Sequence, residues 1–205
     1  MKEKIKIGIF GSAINEDEQI RQKARALGEL LAQPDLILIT GASSGLPYEV
    51  VYAAYQKKQV EIWGYSPAYN YDEQTVLISN EDNSIYSRLI YVSPQVLLTT
   101  IESRRKYRNV LSTDQCDAGI IVSGRIGTLN EFTNLYDMGK VIGIFTNTGG
   151  VADELEVWLQ KIDKPSNATI IFEGNPQSLV EKAVTEVYRR RLSETTRRVT
   201  KDSND

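Results

Sequence analysis

The sequence predicts an α/β fold with a mainly parallel sheet flanked by helices, and three observations carry that prediction. Short apolar runs recur along the chain: KIKIGIF, LILIT, AGIIV and VIGIF. Most of them stop at a turn of small residues. Each turn is followed by a segment with helical apolar spacing. Strand, small-residue turn and helix, repeated, is the pattern of parallel strands joined by crossover helices.

The elements follow in order. Residues 4–10 read as a buried strand ending in Gly11, Ser12 and Ala13. Residues 15–32 form a helix with Ile20, Ala24, Leu27 and Leu31 on one face, broken by Pro34 and Asp35. Residues 36–40 are a second strand, followed by the turn Gly41, Ala42, Ser43, Ser44 and Gly45. A helix over 48–59 and a strand over 60–65 come next. Residues 67–94, rich in Tyr, Asn and Asp, with short apolar pieces at 75–78 and 89–92, read as an irregular segment near the cleft carrying one or two short strands. The spacing predicts a helix over 95–113, with Leu97, Ile101, Arg104, Arg108 and Leu111 on one face. Two arginines therefore interrupt the stripe that meets the interior. Residues 118–122 are a strand, 128–138 a helix closed by Gly139, and 141–145 a strand ending in Asn147, Thr148, Gly149 and Gly150. A helix over 153–161, a strand over 168–172 and a helix over 176–191 complete a single domain, residues 1–192. Residues 193–205 read as a disordered polar tail.

Composition bounds the function. Of 205 residues, 41% are apolar and 25% charged, as in a soluble globular domain. The net charge of −3 gives no general drive toward nucleic acid or anionic membrane, so neither is an expected partner. The first residues lead straight into a strand, which points to the cytoplasm. The chain has one cysteine, Cys116, and no histidine. Intrachain disulfides, Ser-His-Asp catalysis and imidazole metal sites are excluded, and a cysteine-based zinc site has too few ligands. No metal and no cofactor are expected. Acid–base chemistry falls to carboxylates, Lys or Tyr.

Ligands of open parallel sheets bind outside the carboxyl ends of the strands. The turns at 11–13, 41–45 and 123–128 all stand at strand ends, which makes a nucleotide or phosphosugar site the working hypothesis. The stretch 118–131 is the strongest of them: a strand, a glycine-rich turn, and a helix N-terminus able to hold phosphate. Thr128 and Glu131 have two readings. Thr-x-x-Glu is the spacing of a capping box, worth about 1 kcal/mol. In the other reading Glu131 faces the cleft as an acid/base or holds a ribose hydroxyl. Arg104 and Arg108 need partners on an inward face, and a phosphate or Glu131 would serve. Arg105 and Tyr107 read as surface, Cys116 as a small buried residue, and Arg189 to Arg191 as a solvated helix end.

These residues resemble the LOG family. Its signature is an Arg-Lys or Arg-Asn pair followed by a PGGxGTxxE or GGGxGTLxE turn. Here it is matched by Arg108-Asn109, then Asp117-Ala118, then SGRIGTLNE at 123–131. The stretch GASSGLPYE at 41–49 resembles the family's earlier glycine turn, and Gly11-Ser12 its first loop. Ser66-Pro67-Ala68 resembles a segment of the branch related to molybdenum-cofactor carrier proteins. The resemblance spans roughly residues 4–190.

It implies a Rossmann-like three-layer sandwich, a homodimer or higher homo-oligomer, and a ligand that is a nucleoside monophosphate or related phosphorylated small molecule. The implied reaction is hydrolysis of the N-glycosidic bond of a nucleoside 5′-monophosphate to base and ribose 5-phosphate. The alternative is a non-enzymatic carrier or sensor of a phosphorylated ligand, such as the molybdenum cofactor or a signalling nucleotide. Arg108 and Glu131 carry over as catalytic, and Gly124, Gly127 and Thr128 as phosphate-binding. Gly11, Ser12, Gly41, Ser43, Ser44, Gly45, Arg104 and Arg125 complete the candidate binding set. The chain departs from the family at Ser123, normally Pro or Gly, at Arg125, normally Gly, and at Asn109, Lys in the enzymes. Ala42 and Ser43 likewise replace glycines.

Overall fold

The computed structural model describes residues 3–14, 17–162 and 164–202. Seven strands form one sheet in the order β4-β3-β2-β1-β5-β6-β7. They are β1 (Ile5–Gly11), β2 (Leu36–Thr40), β3 (Glu61–Ser66), β4 (Arg88–Tyr91), β5 (Ala118–Val122), β6 (Val141–Phe145) and β7 (Thr169–Glu173). Every neighbouring pair is parallel. The helices are α1 (Glu18–Leu31), α2 (Leu46–Gln56), α3 (Tyr71–Leu77), α4 (Ile101–Asp114), α5 (Ile126–Asp137), α6 (Gly150–Leu159) and α7 (Pro176–Asp202). This is the expected Rossmann-like α/β sandwich. None of the described helices is long and apolar enough to cross a membrane.

Strand alternation divides the core. Ile5, Ile7 and Ile9 of β1 pack with Ala24 and Leu27 of α1, Val50 of α2 and Leu179 of α7. On the opposite face Phe10, Ile121 and Ile144 pack with Phe132 and Leu135 of α5 and Leu155 of α6. Two layers of helix therefore bury both faces of the sheet, which is why its strands read as continuous apolar runs.

The departures from the sequence reading have local causes. Residues 75–78 are not a strand: Asn70 caps α3 by accepting from Glu73 N at 2.9 Å, and Thr75 to Leu77 continue that helix. α4 starts at Ile101 because the Thr100 hydroxyl accepts from Ser103 N at 3.1 Å. Leu97 therefore lies outside the helix, 94% exposed, and off its inward stripe. α1 begins after Asp17, which accepts from Ile20 N at 3.0 Å. Residues 15 and 16 of the expected helix lie outside the described residues. α7 runs to Asp202, where a disordered tail was expected from Ser193. That segment has no Gly or Pro to stop it, and the hydroxyls of Ser193, Thr195 and Thr196 donate to carbonyls three or four residues earlier. Residues 203–205 lie outside the described residues.

The arginines of α7 are not simply solvated. Arg190 donates to the carbonyls of Gly139 and Asn167. Arg191 donates to the carbonyls of Glu3 and Lys4 and pairs with Asp117 at 2.9 Å. Asp117 also accepts from Lys6 N at 2.8 Å, so it clasps β1 to β5.

Gly28 of α1 faces the Val50 carbonyl of α2, and a Cβ there would lie 2.1 Å from that oxygen. In a free helix Gly→Ala gains about 1 kcal/mol. Here the contact is with backbone, which cannot turn aside. Gly28→Ala is expected to cost about 1–3 kcal/mol, read as a lower urea midpoint at unchanged slope.

Candidate functional site

From β1 the strand order runs outward in opposite directions, through β2 on one side and β5 on the other. At this switch point, beyond the carboxyl ends of the strands, lies a cleft of about 510 Å³. Gly11 at the end of β1 and Ser12 just after it, with Ser43 and Ser44 after β2, form one side of it. Arg105, Arg108 and Asn109 of α4 form another. Arg125, Gly127, Thr128 and Glu131 close the third. Leu77 and Ile78, at the end of α3, supply an apolar wall.

The turn into α5 is strained and braced. Ser123 has φ 54° and Gly124 φ 110°. A non-glycine residue in the left-handed region costs about 1–2 kcal/mol. The first turn of α6 holds it in place: Val151 N donates to the Gly124 carbonyl at 2.9 Å and Ala152 N to the Ser123 carbonyl at 3.1 Å. Ser123 N in turn donates to the Thr148 hydroxyl at 2.8 Å. A Cβ on Gly150 would meet the Gly124 carbonyl at 2.3 Å, so that crossing requires glycine.

α5 begins at Ile126 with Arg125 as N-cap, no side-chain cap and no acidic residue in its first turn. The N–H groups of Ile126, Gly127 and Thr128 precede the first helical bond, from Leu129 N to the Arg125 carbonyl. This end is open to an anion. Thr128 is the third helical residue and not the cap, so the capping-box reading fails. Glu131 is one turn further along and lines the cleft.

Arg108 and Glu131 are the buried ionisable pair of the cleft, 7% and 8% exposed. Among the described residues the Arg108 Nε has no hydrogen-bond partner. The guanidinium lies against Gly41, where a Cβ would fall 1.3 Å from Nη1. Gly41 thus makes room for Arg108 instead of lining the cleft. Burial lowers the Arg108 pKa from its usual value, opposed by the charge of Glu131. Burial raises Glu131 to about 7, opposed by Arg108 and Lys106. Turned to satisfy its neighbours, the Asn109 amide donates to Glu131 Oε1 at 3.2 Å and to the Arg105 carbonyl at 3.0 Å. Asn109 therefore orients the carboxylate.

Three other predicted residues stand apart. Arg104 is buried but turned away: it pairs with Glu73 at 2.8 Å, donates to the Pro67 carbonyl and stacks over Tyr69. It fastens α3 to α4. Gly45 caps α2 with φ 86° and packs against the Ser12 carbonyl and Ala13. Gly124 lies under Thr128. Conversely, the sequence reading missed Leu77, Ile78, Glu102, Arg105 and Lys106. Arg105 is exposed, as its surface reading requires, and from that position, three residues before Arg108, it also lines the cleft.

The cations lining the cleft, Arg105, Lys106, Arg108 and Arg125, outnumber its carboxylates, Glu102 and Glu131. The chain's net negative charge thus hides a local positive site.

The sequence model of the SLOG cluster4 family (LDcluster4) matches residues 4–180. No curated protein matches the chain. Solved structures share the fold. TM1055, a structural-genomics target, is 16% identical with a TM-score of 0.69, over 91% of this chain and 99% of its own. The molybdenum cofactor binding protein of Rippkaea orientalis is 19% identical with a TM-score of 0.65, over 91% and 99%. DNA processing protein A of Helicobacter pylori is 16% identical with a TM-score of 0.61, over 90% and 82%, and is described as binding single-stranded DNA. That last likeness corrects the expectation of no nucleic-acid partner: the fold itself includes a nucleic-acid binder. Whole-chain charge was the wrong measure, because binding depends on the local field.

The buried Glu131 carries a pH signature. Its folded pKa, about 7, lies above its ordinary 4.5, so folding favours the protonated form. The stability this contributes is present below about 4.5 and is lost as pH rises through about 7. Glu131→Gln does not titrate. Its stability relative to wild type is expected to rise across that window by about 3 kcal/mol and to be level on either side, measured by urea denaturation over a pH series.

Proposed function

The chain belongs to the SLOG cluster4 family, and from that premise we propose that its cleft binds a nucleoside 5′-monophosphate and hydrolyses the N-glycosidic bond. One observation carries the reading: a buried, incompletely partnered Arg108 and a carboxyl raised to about 7 face an uncapped helix N-terminus in one cleft. The phosphate sits on the N–H groups of Ile126, Gly127 and Thr128, with Arg125 beside them. The base lies against Leu77 and Ile78. Glu131 in its carboxylate form accepts from a ribose hydroxyl and takes a proton from the attacking water. The C1′–N bond breaks with its electron pair on the base, which leaves protonated from solvent, and the water oxygen bonds to C1′. Arg108 holds Glu131 ionised long enough to act and steadies the anionic substrate. A group that titrates near neutrality serves this role well.

A second reading, a carrier or sensor that holds its ligand intact, is favoured by Arg125. A long cation at the helix N-cap adds a charge-assisted bond that holds an anion in place. The likeness to a molybdenum-cofactor binding protein agrees with it.

Incubation with each common nucleoside monophosphate separates the two. Ribose 5-phosphate is expected from wild type, with release lowered about 100-fold or more in Glu131→Gln. No release from any of them, with wild type equal to the variant, removes the hydrolase. A pterin or nucleotide bound to the purified protein, identified by mass spectrometry, then supports the carrier.

A further inference from the structure

Charge is unevenly placed within the cleft. Arg108 is answered by Glu131, and Arg125 stands at the open N-terminus of α5. Arg105 and Lys106 belong to neither arrangement. Both are exposed, and both line the cleft from α4, a different wall from the α5 terminus. Their helix neighbour Arg104 is fastened to Glu73 at 2.8 Å. Among the described residues, Arg105 and Lys106 make no ion pair and no side-chain hydrogen bond. Glu102 stands three and four positions before them, the spacing of a helix-surface pair, and brings one negative charge against two positive ones.

Holding these cations together has a cost. Burial lowers the Arg108 pKa, and the like charge of Arg105 lowers it further. The Arg108 Nε, buried in the same wall, has no partner among the described residues. Charges of one sign lining a cleft focus its field and draw in anions. A phosphate at the α5 terminus answers Arg125 and the helix end, and it leaves the two cations of α4 unanswered.

We propose that the cleft seats two phosphoryl groups of one ligand, the first at the α5 N-terminus beside Arg125 and the second on Arg105 and Lys106 of α4. The ligand class is a nucleotide with a further phosphate beyond its 5′-phosphate. This rests on the reading that the first phosphate occupies the glycine turn. Arg105 offers a planar fork for two phosphate oxygens, and Lys106 a compact charge on a flexible stem that adjusts to the anion's position. The seats lie on different helices, so the ligand spans the cleft, with its sugar between them at Glu131. The second phosphate is carried either on a ribose hydroxyl or on the 5′-phosphate itself. Both present the same anion to α4 and differ in the distance between the two charges. A monophosphate enters the first seat alone and binds more weakly.

Calorimetric titration of the full chain with adenosine 5′-monophosphate, adenosine 3′,5′-bisphosphate and adenosine 5′-diphosphate tests the second seat. One of the two doubly phosphorylated ligands is expected to bind about tenfold or more tighter than the monophosphate, and which one does so tells where the second phosphate is carried. Arg105→Gln and Lys106→Gln, both at exposed positions, should each lower that ratio, and together they should bring it to about one. Arg125→Gln should weaken all three ligands and leave the ratio in place. Equal binding of all three by wild type overturns the second seat and leaves the phosphate reading standing. A ratio that survives the double variant, or one that Arg125→Gln abolishes as fully, also overturns it. No binding of any of the three removes the phosphate reading and the second seat together.

Discussion

A guanidinium buried where a parallel sheet ends is costly to keep charged, and much of this molecule's site is arranged around that cost. Arg108 lies on the backbone of Gly41, where no side chain leaves room for it. Its nearest opposite charge is Glu131, whose own burial works against ionisation. Neither group fully relieves the other. The pair is therefore poised: an anion arriving at the α5 N-terminus neutralises Arg108, and a proton arriving at Glu131 removes the charge that Arg108 answers. Asn109 fixes the carboxylate's direction, so the tension acts along one line through the cleft.

The scaffold supplies rigidity on either side of that line. On one side Arg104 ties α4 to α3 through Glu73, and the buried Gln74 donates to the Ala42 carbonyl at 3.0 Å and to Asn83 at 3.1 Å. The apolar wall of Leu77 and Ile78 is thereby set against the turn after β2. On the other side the first turn of α6 holds the strained Ser123–Gly124 carbonyls. Strain of this kind persists only where surrounding bonds over-determine it, as they do here.

Most of the fold was legible in the sequence because its strands are apolar runs bounded by small residues, and β2, β5 and β6 fall where those runs fall. Helix starts were less legible. They depend on which hydroxyl or carboxylate caps the first turn, and Thr100 and Asn70 decided this against the apolar period. The same limit affected the site. The motif located Glu131 and the glycine turn, but spacing could not separate a capping Thr128 from one inside the helix. Nor could it tell that two arginines on one stripe, Arg104 and Arg108, face different neighbours, one a carboxylate on α3 and the other the cleft. Sequence period gives the face of a helix, and tertiary contacts alone choose the partner.

The strand order also fixes when the cleft can exist. β1 to β4 join by crossovers within the first half of the chain, whereas β1 meets β5 only across the long interval to Ala118. During synthesis the early sheet ends at β1, an apolar edge with unpaired backbone groups, until β5 emerges to cover it. Until then the chain carries the Gly41 shelf and the first loop without the glycine turn and Glu131, which follow β5. The third side of the cleft is therefore added only after β5 has covered the β1 edge, and its turn is braced only when α6 follows.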